Sequence, residues 1–117
     1  MKSINQTIAP ISLEQIVRFS GAVQDFNPIH YDDAFARKAG LPGVIAQGPL
    51  TFLVALDALF AHGDGAAING FRARLKAPVT PDAPLAILCE EGGRVSLTAS
   101  GVEALAGEVL TAAGSKP

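Results

Sequence analysis

The sequence predicts an α+β fold in which an antiparallel β-sheet wraps around one long central α-helix. Three observations carry that expectation. Helical spacing of apolar residues is confined to the first half of the chain. From Phe71 onward the period changes to two, the signature of half-buried strands. The later segments are divided by short turns, so helices first and strands afterwards give an antiparallel α+β arrangement.

Residues 1 to 11 read as a lead-in with a short strand ending near Pro10. Ser12 followed by Gln15 is a capping-box pattern ahead of Leu13, Ile16 and Val17, so a first helix is expected to run to Ser20 or a little beyond. Asp32 is placed to cap a short helix through Lys38 that Gly40 closes. Pro42 and Gly43 mark residues 40 to 47 as loop.

The longest helical segment is Gly48 to about His62, GPLTFLVALDALFAH, with Pro49 suited to the first helical position, where its missing N–H costs no hydrogen bond. Leu50, Phe52, Leu53, Val54, Leu56, Leu59 and Phe60 point in nearly every direction, so this helix is expected to be covered on most sides. After the turn-rich HGDGAA segment, Phe71, Ala73, Leu75 and Ala77 alternate with Arg72, Arg74 and Lys76. Leu85 to Glu90, Arg94 to Ser100 and Ala104 to Ala112 read as three more strands, divided by Gly92-Gly93 and a turn near Gly101. Pro78 and Pro81 mark the link between the first pair.

With 117 residues, 49% of them hydrophobic, the chain is expected to form one domain over residues 1–117 with a modest core. A formal net charge of -2 gives no electrostatic reason to expect nucleic acid. The single Cys89 has no partner for an internal disulfide and lies in an apolar run, which suits a small buried hydrophobe. No apolar run reaches the roughly 18 residues of a membrane span, and the N-terminus lacks the apolar core of a signal peptide. A cytoplasmic location without membrane association is the expectation.

Chemistry is concentrated in Phe19 to His30, FSGAVQDFNPIH, where an acid, an amide, a proline and an imidazole fall within Asp25 to His30. Pro28 fixes its own φ and pushes Asn27 out of the α region, which predicts an extended turn and not a helix. In such a turn Asp25 and His30 can converge on one water as a proton-transfer pair, one taking a proton and the other giving one. Addition or removal of water is the chemistry this suggests. Asn27 would hold the turn by amide hydrogen bonds.

Ser20-Gly21, then Asp25-Phe26-Asn27-Pro28-Ile29-His30, then Asp32 and Ala34, resemble the signature of the MaoC-like dehydratases, the (R)-specific enoyl-CoA hydratases of the hot-dog fold. The resemblance extends from about Leu13 to the end of the chain. It implies that Asp25 and His30 activate the water that adds across a trans-2-enoyl thioester. It also implies that the Gly48 N–H, at the positive end of the central helix dipole, binds the thioester carbonyl oxygen. Asn27, Gln47 and Pro49 are assigned to substrate binding. Gln47 departs from the pattern, since His commonly precedes the helix glycine in these hydratases, and one polar contact at the mouth of the site is expected to differ.

No metal or redox cofactor is implied; coenzyme A or acyl carrier protein enters as part of the substrate. Hot-dog domains pair edge to edge, so a homodimer, or a heteromer with another hot-dog subunit, is expected. Metal readings are weak: Asp25, Asn27 and Asp32 lack the glycine and glutamate spacing of a calcium loop, and two histidines with one cysteine make a poor zinc set.

Plainer readings accompany each residue. Asp25 would serve as a turn carboxylate, His30 as a satisfied buried ring, and Gly48 simply as a helix start. The Arg72, Arg74, Lys76 face reads as a solvated strand face, with phosphate binding as the alternative. Asp57 reads as a buried paired charge or a dimer contact, and His62 as a partner of the helix C-terminal dipole. A non-catalytic acyl-thioester-binding subunit and an acyl-CoA thioesterase remain the alternatives to a hydratase.

Overall fold

The computed structural model describes residues 2–64 and 68–111. In chain order the elements are β1 (Ile4–Ile8), α1 (Leu13–Val23), a 3-10 turn (Pro28–His30), α2 (Asp33–Lys38), α3 (Gly48–His62), β2 (Ile68–Leu75), β3 (Leu85–Cys89), β4 (Arg94–Ala99) and β5 (Val102–Thr111). The strands form one antiparallel sheet in the order β1-β3-β4-β5-β2, so β1 and β2 are its edges. This is the expected α+β hot-dog arrangement, with α3 packed against the sheet.

Local signals account for most boundaries. The capping box forms in full: the Gln15 N–H donates to Ser12 Oγ (3.1 Å) and the Ser12 N–H to Gln15 Oε1 (2.9 Å). Gln24, in the left-handed region at φ 59°, ends α1 and turns the chain toward Asp25. The Phe35 N–H donates to Asp32 Oδ1 and starts α2 as expected.

Other boundaries differ. β2 begins at Ile68, three residues before Phe71, and stops at Leu75, because the Lys76 and Ala77 N–H groups both turn to the Ala104 carbonyl. β5 begins at Val102, ahead of Ala104, and its ladder with β4 shifts register between Leu97 and Thr98. The expected turn at 65–67 and strand end at Ala112 lie outside the described residues.

The core lies between α3, α1 and the sheet. Ile16, Ala55 and Leu59 are fully buried, facing Leu85, Ile87, Val95, Leu97 and Leu105. Each wholly buried Ile, Leu or Val contributes roughly 1.5–3 kcal/mol relative to exposure. Cys89 is buried as expected, and desolvation pushes its thiol pKa up. Phe52 of α3 and Phe71 of β2 pack with ring centroids 4.8 Å apart. At Gly107 a Cβ would collide with the Arg72 carbonyl and Ala73, so glycine there lets β5 and β2 lie close.

The expectation that α3 is covered on most sides is corrected. Its buried residues are Thr51, Ala55, Ala58 and Leu59, whereas Leu53 is 49% and Phe60 63% exposed. A single five-stranded sheet covers one face of the helix and leaves the opposite flank open. Asp57 is exposed on α3 and not buried. Among the described residues no helix is long and apolar enough to cross a membrane.

Candidate active site

The Asp25 loop is a tight turn, not the extended one expected. Pro28 restrains only the residue before it, and Asn27 is accordingly extended at φ -61°, ψ 123°. From Pro28 onward the chain winds into the 3-10 turn, whose first free N–H, that of Ile29, donates to Asn27 Oδ1 at 3.2 Å. Asp25 caps in the same way, Oδ1 accepting the Asn27 N–H at 3.2 Å. Its other oxygen, Oδ2, is thereby aimed along the turn at His30.

His30 is buried, and its Nδ1 lies 2.8 Å from the Ile45 carbonyl oxygen. A carbonyl can only accept, so Nδ1 carries a proton, and in the neutral ring Nε2 presents its lone pair. That Nε2 stands 3.4 Å from Asp25 Oδ2. A neutral imidazole nitrogen and a carboxylate oxygen both accept, so the pair is complementary to a molecule that offers two protons, as water does, or to one shared proton. The Ile45 N–H returns the contact by donating to the Ile29 carbonyl at 3.1 Å. Segments 27–30 and 45–48 are thus joined on both sides of the imidazole.

Gly48 opens α3 as its first residue, with Gln47 as N-cap, which puts Pro49 at the second helical position and not the first. The cap side chain makes no bond to its own helix, and Pro49 has no N–H, so the positive end of the dipole is presented mainly through the Gly48 and Leu50 main chain. A cavity of about 410 Å³ brings Gly48 and His30 together with apolar walls from Ile29, Ile45, Leu75 and Val79. A Cβ at Gly48 would come within 2.6 Å of Leu75 Cδ1, so glycine keeps this corner open. At the rim, Lys76 Nζ donates to Glu103 Oε1 at 2.8 Å and Ser96 Oγ donates to Glu103 Oε2 at 2.7 Å. These two bonds hold the Glu103 carboxyl below the usual carboxylate range.

The structure therefore lines one cavity with His30 and Gly48, places Asp25 beside the imidazole but outside that lining, and sets the other candidates apart. Asn27 and Pro49 are exposed and do not line the cavity; Asn27 shapes the turn. The expected position of Gln47 at the mouth is corrected: its side chain is wholly buried, bonded to the interior of α1. Three contributors escaped the sequence. The Ile45 carbonyl is main chain and leaves no mark in residue identity. Thr51 and Leu75 enter the cavity wall only through the packing of α3 on β2. Arg72 pairs with Glu108 on the outer sheet face, consistent with a solvated surface.

The chain matches the MaoC like domain family over residues 2–112. It is 33% identical over 101 residues to the mesaconyl-C(4)-CoA hydratase of Chloroflexus aurantiacus, a match that covers 85% of this chain and 35% of that protein. It is 37% identical over 90 residues, 74% of this chain, to the fatty acid synthase beta subunit TOXC of Cochliobolus carbonum. Among solved structures, the (R)-hydratase of A. caviae involved in PHA biosynthesis superposes with a TM-score of 0.74 at 20% identity, covering 92% of this chain and 91% of that one. The ChsH1-ChsH2 complex of Mycobacterium tuberculosis superposes with a TM-score of 0.67 at 17% identity, covering 91% and 84%. The superpositions define the fold as that of a hot-dog domain. This chain belongs to the MaoC-like domain family. It spans about a third of the mesaconyl relative and 4% of the synthase subunit it matches.

Proposed function

We propose that this chain is a hydro-lyase that adds water reversibly across a trans-2-enoyl thioester, giving the (R)-3-hydroxyacyl product. The observation that carries the reading is the shared cavity: His30, whose Nε2 lies 3.4 Å from Asp25 Oδ2, and Gly48, the first residue of α3, line one largely apolar space. Relatives named as hydratases support the same reaction class.

In the forward direction water is held between Asp25 Oδ2 and His30 Nε2 and loses one proton to the pair. Its oxygen bonds to Cβ, and the C=C electrons move toward the thioester oxygen. The Gly48 N–H at the helix N-terminus stabilises that enolate-like oxygen. Collapse of the enolate takes a proton back from the pair at Cα, so the pair ends in its starting state. The carrier, coenzyme A or acyl carrier protein, stays outside the acyl cavity. Coenzyme A is favoured by the name of the mesaconyl relative, an unsaturated acyl-CoA hydratase.

We further assign the working form to a pair of hot-dog chains joined along β2, in a homodimer or with a second hot-dog subunit. The free edge of β2 and the open flank of α3 support pairing, and the ChsH1-ChsH2 complex is a heteromeric precedent on the same fold.

The test is to offer crotonyl-, medium-chain and branched enoyl-CoA to the purified protein while following the enoyl-thioester absorbance, with a thiol reagent in a parallel well. Loss of the enoyl band without free thiol is expected. Release of thiol would move the assignment to a thioesterase, and binding without turnover to an acyl-binding subunit.

A further inference from the structure

Gln47 occupies an N-cap position, where a polar side chain normally bonds the first turn of its own helix. Here it makes no such bond. The side chain is 0% exposed, and Nε2 donates both to the Ile16 carbonyl and to Ser20 Oγ, each at 2.8 Å. Its Oε1 is buried with no hydrogen-bond partner among the described residues. The cost of leaving that oxygen unpaired is set against the two buried bonds that Nε2 makes to α1.

The consequence lies in what the two partners hold. Through its main chain, Gln47 accepts the Thr51 N–H (3.0 Å) and the Thr51 hydroxyl (3.2 Å), so it is locked to the first turn of α3, with Gly48 as the next residue. Ser20, itself buried, accepts the Asp25 N–H at its carbonyl (3.0 Å) and the Gln24 N–H as well. One short chain of contacts, Gly48 to Gln47 to Ser20 to Asp25, therefore spans the interval between the carbonyl-binding N–H and the carboxylate. The imidazole has its own tether through Ile45. Gln47 is absent from the cavity wall, so it acts through its neighbours and not on the substrate.

We propose that Gln47 is a positioning residue, clamping the first turn of α3 to α1 through Ser20 and so fixing the Gly48 N–H relative to the Asp25 and His30 pair. This rests on the hydratase reading above. Hydration needs the oxygen-binding N–H and the water-holding pair to fit the two ends of one conjugated system at once, and small misplacements are expensive in rate. Ground-state binding of the acyl group by the apolar walls is less sensitive to the same shift.

The experiment compares wild type, Gln47→Met, Ser20→Ala, their double variant and a His30→Ala control in steady-state hydration of crotonyl-CoA, with melting temperature measured on each. Met keeps the volume and removes both the clamp and the orphaned oxygen. The expected result for Gln47→Met is a kcat about 10- to 100-fold lower with KM nearly unchanged, an unaltered pH profile and a melting temperature close to wild type. Ser20→Ala should show a smaller loss in kcat, and the double variant no more than Gln47→Met alone, because both cut one chain of contacts.

Should Gln47→Met fail to fold, Ser20→Ala carries the same test. Wild-type kcat in the folded variants, or losses that appear in KM alone, would overturn the proposal while leaving the hydratase reading intact, provided His30→Ala is dead. Absence of hydration by wild type would overturn both.

Discussion

The first turn of α3 and the flank of the same helix that carries Leu53 and Phe60 differ in how completely one chain serves them. At the first turn, Gln47 reaches α1, Thr51 reaches back to Gln47, and Gly48 shares its cavity with His30. Along the flank, Leu53 is 49% and Phe60 63% exposed. The contrast teaches that the candidate site is assembled within one chain, whereas one chain leaves a flank of the central helix exposed. Substitutions at the two regions should fail in different ways.

The largest effect is expected at the chemical end. His30→Ala removes the ring that lines the cavity and pairs with Asp25, and turnover should fall roughly 100- to 10,000-fold. Steady-state rates, with circular dichroism to show a retained fold, check this; a rate within a few-fold of wild type would break the comparison.

On the open flank, Phe60→Ser should leave the chain folded but weaken its pairing, by about 1.5–3 kcal/mol if the ring is buried in the partner. Light scattering across a dilution series reads that shift. An unchanged assembly would mean that the flank faces solvent in the working protein.

A gentler change sharpens the contrast from inside the cavity. Gly48→Ala keeps the N–H and adds a methyl 2.6 Å from Leu75 Cδ1. Leu75 is half exposed and can swing aside, so a loss of about 10-fold, mostly in KM, is expected in kinetics on short enoyl-CoA substrates.

The smallest effect concerns the rim. Lys76 and Ser96 depress the pKa of Glu103, so its contribution to stability is present above its ordinary value of 4.5 and disappears as the pH falls through the lowered folded value. Glu103→Gln should therefore melt lower than wild type at pH 7, and the gap should close in acid. A gap that persists unchanged at the lowest pH measured would contradict the ion-pair account.

Much of this was legible in the sequence, for identifiable reasons. The capping box at Ser12 and Gln15, the cap at Asp32 and the period-two strands are local signals, and they produce the elements they predict. The convergence of Asp25 and His30 was legible because both lie within one turn pinned by Asn27 and Pro28. What escaped depends on tertiary contacts. No residue type announces that the Ile45 carbonyl will fix the imidazole tautomer. The inward rotation of Gln47 follows from the approach of α1 to α3, two helices separated by residues 24–47. The open flank of α3 escaped for the opposite reason: its apolar residues suggested full coverage, and one sheet supplies it on one side.

The most direct test of the central claim is the hydration rate of crotonyl-CoA by wild type beside Asp25→Asn. The amide oxygen of asparagine can still accept the Asn27 N–H, so the turn survives and only the carboxylate charge is lost. The account predicts a turnover roughly 100- to 10,000-fold lower in the variant, with product formed by wild type as a 3-hydroxyacyl thioester and no free thiol. Equal rates in the two proteins, or thiol as the product, would contradict it.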